Sequence, residues 1–331
     1  MVNGKTHIMR LHTSVLGLIF LVWAAAVGAQ AYPNRPVRVV IPFPPGQATD
    51  LSARIVAERL AQALGQPFVI VNQPGAGGQT GTEAVTKAAP DGYTLLGVGS
   101  GPITVLPALQ KVPYDPVTQL SPVSLTSFVA FALVASPAFP ATNTAELIAA
   151  IRASPDKYTY SSSGVGTTAN LANESFNAIA GLKARHVPFN GATASLTAIM
   201  GGHVDFTFES VPAVISFINS NRLKTFGVST TKRLSALPDV PTVAESGGGD
   251  VASYDMIAWL GYMAPAGLPA DIANRLSAEI TKILRSPDVA ERFRALGMET
   301  LWSTPAEMAA TISRDTERYG AIAKRANIKI N

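Results

Sequence analysis

Two stretches of the chain, each a short strand followed by a small polar loop and a helix, constrain the fold most strongly. In the first stretch, the β-branched run Val37–Ile41 is typical of a buried strand. The prolines at 42, 44 and 45 end this strand because proline donates no hydrogen bond to a ladder. Gly46 permits a tight turn, after which Thr49 or Asp50 can cap a helix. Backbone N–H groups at that helix start favour an anion, although one such corner alone is most often structural.

The middle of the chain repeats this arrangement. Residues 158–160 form a predicted strand, and the polar loop 161–170 leads into a predicted helix over Leu171–Ala180. This loop adds serine and threonine hydroxyl groups to the backbone N–H donors. A serine-rich linker is the alternative interpretation, but a linker is seldom flanked by a strand and an amphipathic helix. We therefore interpret the two loops as the facing halves of one anion-binding site.

Strands and helices alternate along both halves of the chain, which predicts the α/β class. Two long extended segments, residues 123–134 and 254–263, suit hinge crossings that leave one lobe and return to it. The prediction is therefore two α/β domains joined by extended hinge crossings. Lobe 1 comprises residues 32–130 and 254–331, and lobe 2 comprises residues 131–253. Open α/β sheets bind ligands beyond the carboxyl ends of their strands, so we expect a small-molecule cleft between the lobes.

Residues 1–31 have the features of a secretory signal peptide. Lys5 and Arg10 form a basic start, and residues 15–27 form an apolar core that is short for a membrane span. The segment Ala29-Gln30-Ala31 is a small-residue cleavage site, so we expect cleavage near Ala31 and export to the periplasm. The chain has no cysteine, which excludes disulfides and a lipid attached to cysteine at the cleavage site.

Several chemistries lack their usual motifs, and we expect neither an enzyme nor a cofactor. The glycine-rich loop after residue 74 leads to a predicted short helix over Glu83–Ala88. It carries Thr80 where a dinucleotide fingerprint needs glycine. His186 and His203 have no second ligand at metal-binding spacing, so no metal is expected. The charges are scattered, which argues against a nucleic-acid partner. No histidine lies near Ser161–Ser163 in the sequence, but neighbours in space leave a secreted enzyme open as an alternative.

Six motifs along the chain resemble, in order, those of the Bug family, the receptors of tripartite tricarboxylate transporters. They are Pro42-Phe43-Pro44-Pro45-Gly46 with Asp50, Asn72 with Pro74-Gly75-Ala76-Gly77-Gly78, Pro90-Asp91-Gly92-Tyr93-Thr94-Leu95, Ser161-Ser162 with Gly164 and Gly166, Val187-Pro188-Phe189, and Leu237-Pro238-Asp239-Val240-Pro241. The resemblance implies a type II periplasmic-binding-protein fold. It implies a receptor that captures amino acids, di- or tricarboxylates or aromatic acids. We expect a monomer that contacts the membrane subunits of a tripartite transporter transiently to deliver the ligand. A sensing subunit for a membrane kinase is an alternative, because the same fold serves both roles.

The resemblance also implies a set of ligand-binding residues, with the ligand carboxylate held between the two loops. In lobe 1 they are Phe43, Pro45, Gln47, Ala48, Thr49, Asp50, Gln79, Thr80 and Ser100. In lobe 2 they are Ser163, Gly166, Thr167 and Thr168, with Phe189 and Glu209 nearby. We expect Asp50 to act as a helix cap, because its charge facing an anionic ligand would be unfavourable without a cation.

Three positions depart from the pattern of the family. Gln47 stands where glycine is usual, Asn170 where histidine is common, and Glu209 where aspartate is common. Gln47 adds a side-chain donor and bulk to the first loop, which bears on ligand size. One hypothesis for Glu209 is that it pairs with an ammonium group, which would make the ligand an amino acid or a similar zwitterion.

Overall fold

The structure is a computed structural model that describes residues 32–325 and residue 328. One ten-stranded sheet with parallel and antiparallel strands runs through these residues. The predicted signal peptide lies outside the described residues. The strands are β1 (Val37–Ile41), β2 (Phe68–Asn72), β3 (Thr94–Gly99), β4 (Leu120–Ala135), β5 (Thr159–Ser162), β6 (Arg185–Pro188), β7 (Phe206–Ser210), β8 (Lys224–Val228), β9 (Ile257–Pro265) and β10 (Met298–Thr300). Their order in the sheet is β2-β1-β3-β9-β4-β7-β5-β6, and β8 and β10 also pair with β4.

Helices cover the sheet between most of these strands. They are α1 (Ala48–Leu64), α2 (Gln79–Thr86), α3 (Leu106–Leu109), α4 (Thr144–Ala153), α5 (Thr168–Ile179), α6 (Ala192–Met200), α7 (Val211–Asn219), α8 (Val243–Gly247), α9 (Ala270–Leu284), α10 (Pro287–Ala295) and α11 (Pro305–Arg325). The helix α1 illustrates how the sequence sets their limits. It buries Ile55, Val56 and Leu60, and it ends at Gly65, whose φ of 73° places it in the left-handed region that favours glycine.

The strand β4 is shared by the two halves of the sheet. Residues Leu120 to Ala130 pair with β9, whereas residues Phe131 to Ala135 pair with β7. The two extended segments predicted as hinge crossings are therefore long strands that pair antiparallel with each other. The pairing partner changes at the residue where we divide lobe 1 from lobe 2, and the division into lobes itself stays a prediction.

Parallel strands on each side of β4 and β9 carry the two predicted loops. In the first half, β1 pairs parallel with β2 and β3. In the second half, β5 pairs parallel with β6 and β7. The carboxyl ends of parallel strands meet at one edge of a sheet, so the loops that follow β1 and β3 collect together, as do those that follow β5 and β7.

Separate apolar clusters support the two loops. The cluster below the first loop includes Val39, Ile41 and Tyr262, all buried. The cluster below the second loop is aromatic, and Phe176 packs edge-on against Phe208 with ring centroids 5.2 Å apart. Each loop therefore starts from a strand that packs against a buried apolar cluster. Within the described part of the chain, no helix is long and apolar enough to cross a membrane.

Candidate functional site

Two adjoining cavities lie where the loops of the two halves meet. The smaller cavity has a volume of about 60 Å³ and the larger one about 490 Å³. They share two lining residues, Phe43 and Ser163, and therefore lie side by side. A volume on the order of 10–15 Å³ holds one water, so the smaller cavity suits a small polar group.

The first loop is held by a buried carboxylate, that of Asp50. Its Oδ2 accepts hydrogen bonds from the Gly46 N–H at 3.0 Å and from Arg54 Nε at 2.9 Å. Its Oδ1 accepts from Asn72 Nδ2 at 2.9 Å, and the same amide nitrogen donates to the carbonyl oxygen of Phe43. Burial alone would raise the pKa of Asp50, but these hydrogen bonds and the charge of Arg54 lower it below its ordinary value. Asp50 therefore stays ionised and closes the loop.

Gln47, and not the predicted Thr49 or Asp50, occupies the N-cap position just before α1, because the helix already begins at Ala48. The Gln47 side chain does not cap the helix. Its Nε2 is buried and has no hydrogen-bond partner among the described residues. Gln47 lines the smaller cavity, together with Ala48 and Thr49 from the first turn of α1. First-turn N–H groups lack acceptors inside their own helix, so this end of α1 supplies donors to the cavity.

The second loop is held by the N-cap of α5. Thr167 Oγ1 accepts from the Asn170 N–H at 3.2 Å and donates to the Gly164 carbonyl oxygen at 2.8 Å. Asn170 Oδ1 accepts from the Gly166 N–H at 3.1 Å, which leaves its buried Nδ2 without a hydrogen-bond partner in the described chain. Thr167 and Thr168 line the smaller cavity, so the start of α5 faces the same space as the start of α1.

The second loop touches the two loops that follow β3 and β2. The hydroxyl groups of Ser100 and Thr168 are 2.9 Å apart and form a buried hydrogen bond between the two halves. A Cβ atom at Gly77 would lie only 2.3 Å from the carbonyl oxygen of Val165. The first contact lies at the smaller cavity and the second at the larger one, and the second leaves little room for a larger residue at position 77.

Glu209 brings a second buried carboxyl group, at the end of β7. Its side chain lines the smaller cavity, and the residue is only 3% exposed. Its Oε1 accepts from the Ser210 N–H at 2.7 Å, whereas its Oε2 is buried without a hydrogen-bond partner in the described chain. Burial raises the pKa of Glu209, and the Ser210 N–H together with the nearby hydroxyl groups of Ser210 and Ser163 lowers it by less.

Most of the residues predicted for the site line a cavity. The smaller cavity is lined by Phe43, Gln47, Ala48, Thr49, Ser100, Ser163, Thr167, Thr168 and Glu209. The larger cavity is lined by Phe43, Ser163 and Phe189. Five predicted residues line neither: Pro45, Asp50, Gln79, Thr80 and Gly166.

Those five residues lie close to the site for structural reasons. Pro45 is exposed, and Asp50 ties the first loop together. Gln79 and Thr80 are the first residues of α2, which begins four residues before the start predicted at Glu83. They therefore belong to a helix instead of a loop. Gly166 donates its N–H to Asn170, and a Cβ there would lie 2.1 Å from Leu106 Cδ1.

Sequence reasoning missed the part of the smaller cavity that the crossing strands provide. Val129 and Phe131 of β4 and Ala258 and Leu260 of β9 line it with apolar side chains. The two extended segments carried a signal for this role, because strands that join two lobes must run beneath the cleft between them. Ser210, next to Glu209, also lines the cavity and had no separate signal.

A serine–histidine contact was also missed. Ser162 Oγ lies 2.7 Å from His186 Nε2, and the imidazole ring stacks on Tyr160 with centroids 4.9 Å apart. The partners are 24 residues apart and meet because β5 and β6 pair in parallel. Ser162 is fully buried and lines neither cavity. Burial lowers the pKa of His186, which favours the neutral imidazole.

No metal site accompanies these cavities in the described chain. Residues 32–325 and 328 contain no group of three or more histidine, aspartate and glutamate side chains that could hold a metal ion. Among these residues, Glu209 is the only titratable one that lines the smaller cavity. The donors there are hydroxyl groups, one amide and backbone N–H groups, a set suited to hydrogen bonding an anion.

Comparison with known proteins identifies the family. A family model described as "Tripartite tricarboxylate transporter family receptor" matches residues 52–328. The chain belongs to this receptor family. This chain is 35% identical to BugT of Bordetella pertussis over 309 residues, which cover 93% of this chain and 94% of BugT. The resemblance to Bug proteins is therefore confirmed.

Two solved structures show the same fold. The periplasmic binding protein BugD is similar with a TM-score of 0.85 and 31% identity, covering 90% of this chain and 99% of BugD. The structure of R. palustris Rpa4515 with adipate is similar with a TM-score of 0.87 and 31% identity, over 90% and 99% of the two chains. The predicted α/β periplasmic-binding-protein fold is confirmed for this receptor-family member.

Proposed function

We propose that this protein is an extracytoplasmic receptor that captures a small carboxylate-bearing metabolite in the smaller cavity. The ligand class covers amino acids, di- and tricarboxylates and aromatic acids. The carboxylate head group would lie between the starts of α1 and α5. The body of the ligand would pass between Phe43 and Ser163 into the larger cavity. Adipate, with which the similar protein Rpa4515 was solved, belongs to this class and supports the proposal.

One observation carries the proposal: two helix starts converge on one small cavity that no lysine, arginine or histidine of the described chain lines. Ala48 and Thr49 come from the first turn of α1, and Thr168 and Ala169 come from that of α5. Both helices are long enough to carry a favourable dipole, and their first-turn N–H groups lack acceptors inside the helix, although that of Asn170 in α5 is bonded to the Thr167 side chain. An anion recognised by neutral donors fits this arrangement, because the donors compensate its lost hydration.

A thermal-shift screen of the mature protein tests the proposal. The panel contains amino acids, C4–C6 dicarboxylates, citrate and benzoate. A ligand that binds only the folded state raises the melting temperature as its concentration rises. At a ligand concentration a hundred times Kd, the free energy of unfolding increases by about 2.7 kcal/mol. We expect a shift with at least one acid and none with its diamide, for example adipate against adipamide. No shift with any acid would overturn the proposal.

We also propose that the bound acid is handed to the membrane subunits of a tripartite transporter. The family to which the chain belongs supports this role. Uptake of the radiolabelled acid should be lost when either the receptor or the membrane subunits are deleted. Uptake that persists without the receptor, while transcription of a target gene loses its response to the acid, would favour the alternative of a kinase-linked sensor.

We propose that the protein is not an enzyme, as the receptor role of its family supports. The Ser162–His186 contact is the arrangement closest to a nucleophile and a base, but Ser162 is fully buried and lines neither cavity. A nucleophile must reach a reacting atom, so we interpret this pair as a support for the second loop. Mass spectrometry of the bound acid after prolonged incubation should recover it unmodified, and any turnover would contradict this assignment.

A further inference from the structure

We propose that Glu209 acts as a neutral carboxylic acid and, with Gln47, donates a hydrogen bond to the carboxylate of the ligand. This inference rests on the proposed function, because it assigns the groups that hold the head of the captured acid. It makes Glu209 a specificity-determining residue, one that accepts an anionic head group and disfavours an ammonium group.

The geometry provides two buried groups that await a partner. Gln47 and Glu209 both line the smaller cavity, and in the described chain neither Gln47 Nε2 nor Glu209 Oε2 has a hydrogen-bond partner. A buried polar atom left without a partner costs about 1–3 kcal/mol, so unpaired buried atoms at a cavity wall mark a place for a ligand. Two donors facing one carboxylate would satisfy both atoms at once.

The charges around the cavity exclude a counterion from the described chain. Asp50 and Arg54 of α1 pair with each other at 2.9 Å. Glu174 of α5 accepts from the hydroxyl group of Tyr160 of β5, and His186 of β6 contacts Ser162. The other neighbours of Glu209, the strand β4 and the helix α7, carry no charged residue. None of the charged groups lines the smaller cavity.

An ionised Glu209 would therefore face the carboxylate of the ligand without a cation between them. Two like charges that are buried side by side without a cation repel each other strongly, so one of them takes a proton. Burial already raises the pKa of Glu209, which supports the neutral form before the ligand arrives. The protonated acid then supplies an O–H donor where the ionised form would supply only acceptors.

The test follows the affinity for adipate across pH by isothermal titration calorimetry. Adipate stabilises the protonated form of Glu209, so affinity is full below the pKa of Glu209 in the empty protein. Above it, the affinity of the wild type falls by about tenfold per pH unit, as expected for one linked proton. Glu209→Gln is a permanently neutral amide, so it should remove this dependence, and the ratio of its affinity to that of the wild type should rise with pH. Glu174→Gln, which changes a carboxyl group outside the cavity, should keep the dependence.

The inference would be wrong if Glu209 were ionised and paired with an ammonium group of the ligand. If an ionised Glu209 held a cation, 2-aminoadipate would bind much more tightly than adipate, and Glu209→Gln would abolish that preference. That result would overturn the inference while leaving the proposed function intact. Failure of every acid to bind would instead overturn the proposed function.

A measurement without ligand keeps the inference falsifiable if Glu209→Gln does not fold or adipate does not bind. Protein labelled with ¹³C at the glutamate carboxyl group is titrated by NMR, and Glu209 is assigned from the signal that Glu209→Asp removes. We expect a titration midpoint clearly above the ordinary glutamate value of 4.5. A Glu209 signal that is already ionised at pH 5 would overturn the inference.

Discussion

Asp50 and Glu209 are both buried carboxyl groups, and they stand in opposite surroundings. Asp50 lies below the first loop, bonded to Arg54, Asn72 and the Gly46 N–H, and it lines neither cavity. Glu209 lies at the end of β7, lines the smaller cavity, and keeps one oxygen without a hydrogen-bond partner in the described chain. The pKa of Asp50 is lowered by its hydrogen bonds, whereas the pKa of Glu209 is raised by burial.

We interpret this difference as the one between a structural acid and the binding acid that we propose. A carboxylate whose bonding is complete fixes the backbone around it and has nothing left for a ligand. A carboxyl group that is buried beside a cavity and lacks a hydrogen-bond partner is energetically unfavourable, and a ligand that supplies the partner removes this penalty. Mutations should therefore give different signatures in the two regions: stability for the first, and ligand affinity and pH dependence for the second.

The largest effect is expected for Asp50→Ala. The change leaves the Gly46 N–H, Asn72 and Arg54 without their shared acceptor and should lower the free energy of unfolding by about 2–4 kcal/mol. The half-exposed Arg54 contributes the smaller share, because water screens its charge. Urea unfolding at pH 7 measures the loss. Asp288→Ala removes an exposed partner of Arg59 and should cost much less, because water screens an ion pair at the surface. Equal losses in the two variants would contradict the structural role of Asp50.

The contact between the second loop and the loop that follows β2 is tested by Gly77→Ala. Gly77 has a φ of +64° and would place a Cβ 2.3 Å from the Val165 carbonyl oxygen, whereas Gly46 has a φ of +84° and no atom within 4 Å. Both alanine variants carry a left-handed strain of about 1–2 kcal/mol. Only Gly77→Ala should also weaken adipate binding, by about tenfold or more, because overpacking costs about 1–3 kcal/mol. Calorimetry of both variants decides, and equal affinities would show that the loops need not touch.

The opposite pKa directions predict opposite trends of stability with pH. The raised pKa of Glu209 gives stability that is present below its ordinary value of 4.5 and lost as pH rises through the folded value. The free energy of unfolding of Glu209→Gln, relative to that of the wild type, should therefore increase as pH rises, by at most about 1.4 kcal/mol per pH unit. The lowered pKa of Asp50 gives stability that is present above its ordinary value of 3.8 and lost as pH falls through the folded value. Asp50→Asn should therefore approach the wild type in acid. Urea unfolding from pH 3 to 9 checks both, and parallel trends would refute the contrast.

The smallest effect is expected for Ser100→Ala. The change removes the hydroxyl contact with Thr168 between the two halves and should cost about 0.5–1.5 kcal/mol of stability. Ser52→Ala removes a similar buried contact, with Thr126 at 3.0 Å, away from the cavities. Thermal unfolding should give similar losses, while calorimetry should find weaker adipate binding only for Ser100→Ala. A matching loss of affinity in Ser52→Ala would mean that general stability governs binding.

Local features of the fold could be predicted from the sequence because their causes are local. The strand Val37–Ile41, the proline turn and the helix end at Gly65 follow from β-branching, missing donors and left-handed glycine. The start of α2 was placed too late, because Gly75 to Gly78 adopt positive φ values or turn geometry and let the helix begin at Gln79.

Features that depend on pairing between distant segments could not be predicted in the same way. The contact of Ser162 with His186 depends on the parallel register of β5 and β6, and the apolar floor of the cavity depends on how β4 lies beside β9. Glu209 entered the candidate site through family resemblance alone. Its burial and its unpaired oxygen follow from the packing of β7 against β4, which no local motif encodes.

A crystal structure of the wild type with adipate, or with whichever panel acid raises the melting temperature most, would show directly whether Glu209 is a binding acid. We expect one carboxylate in the smaller cavity, between the starts of α1 and α5, within hydrogen-bond reach of Gln47 Nε2 and Glu209 Oε2. An acid bound only in the larger cavity or outside both, with water alone in the smaller one, would contradict this assignment.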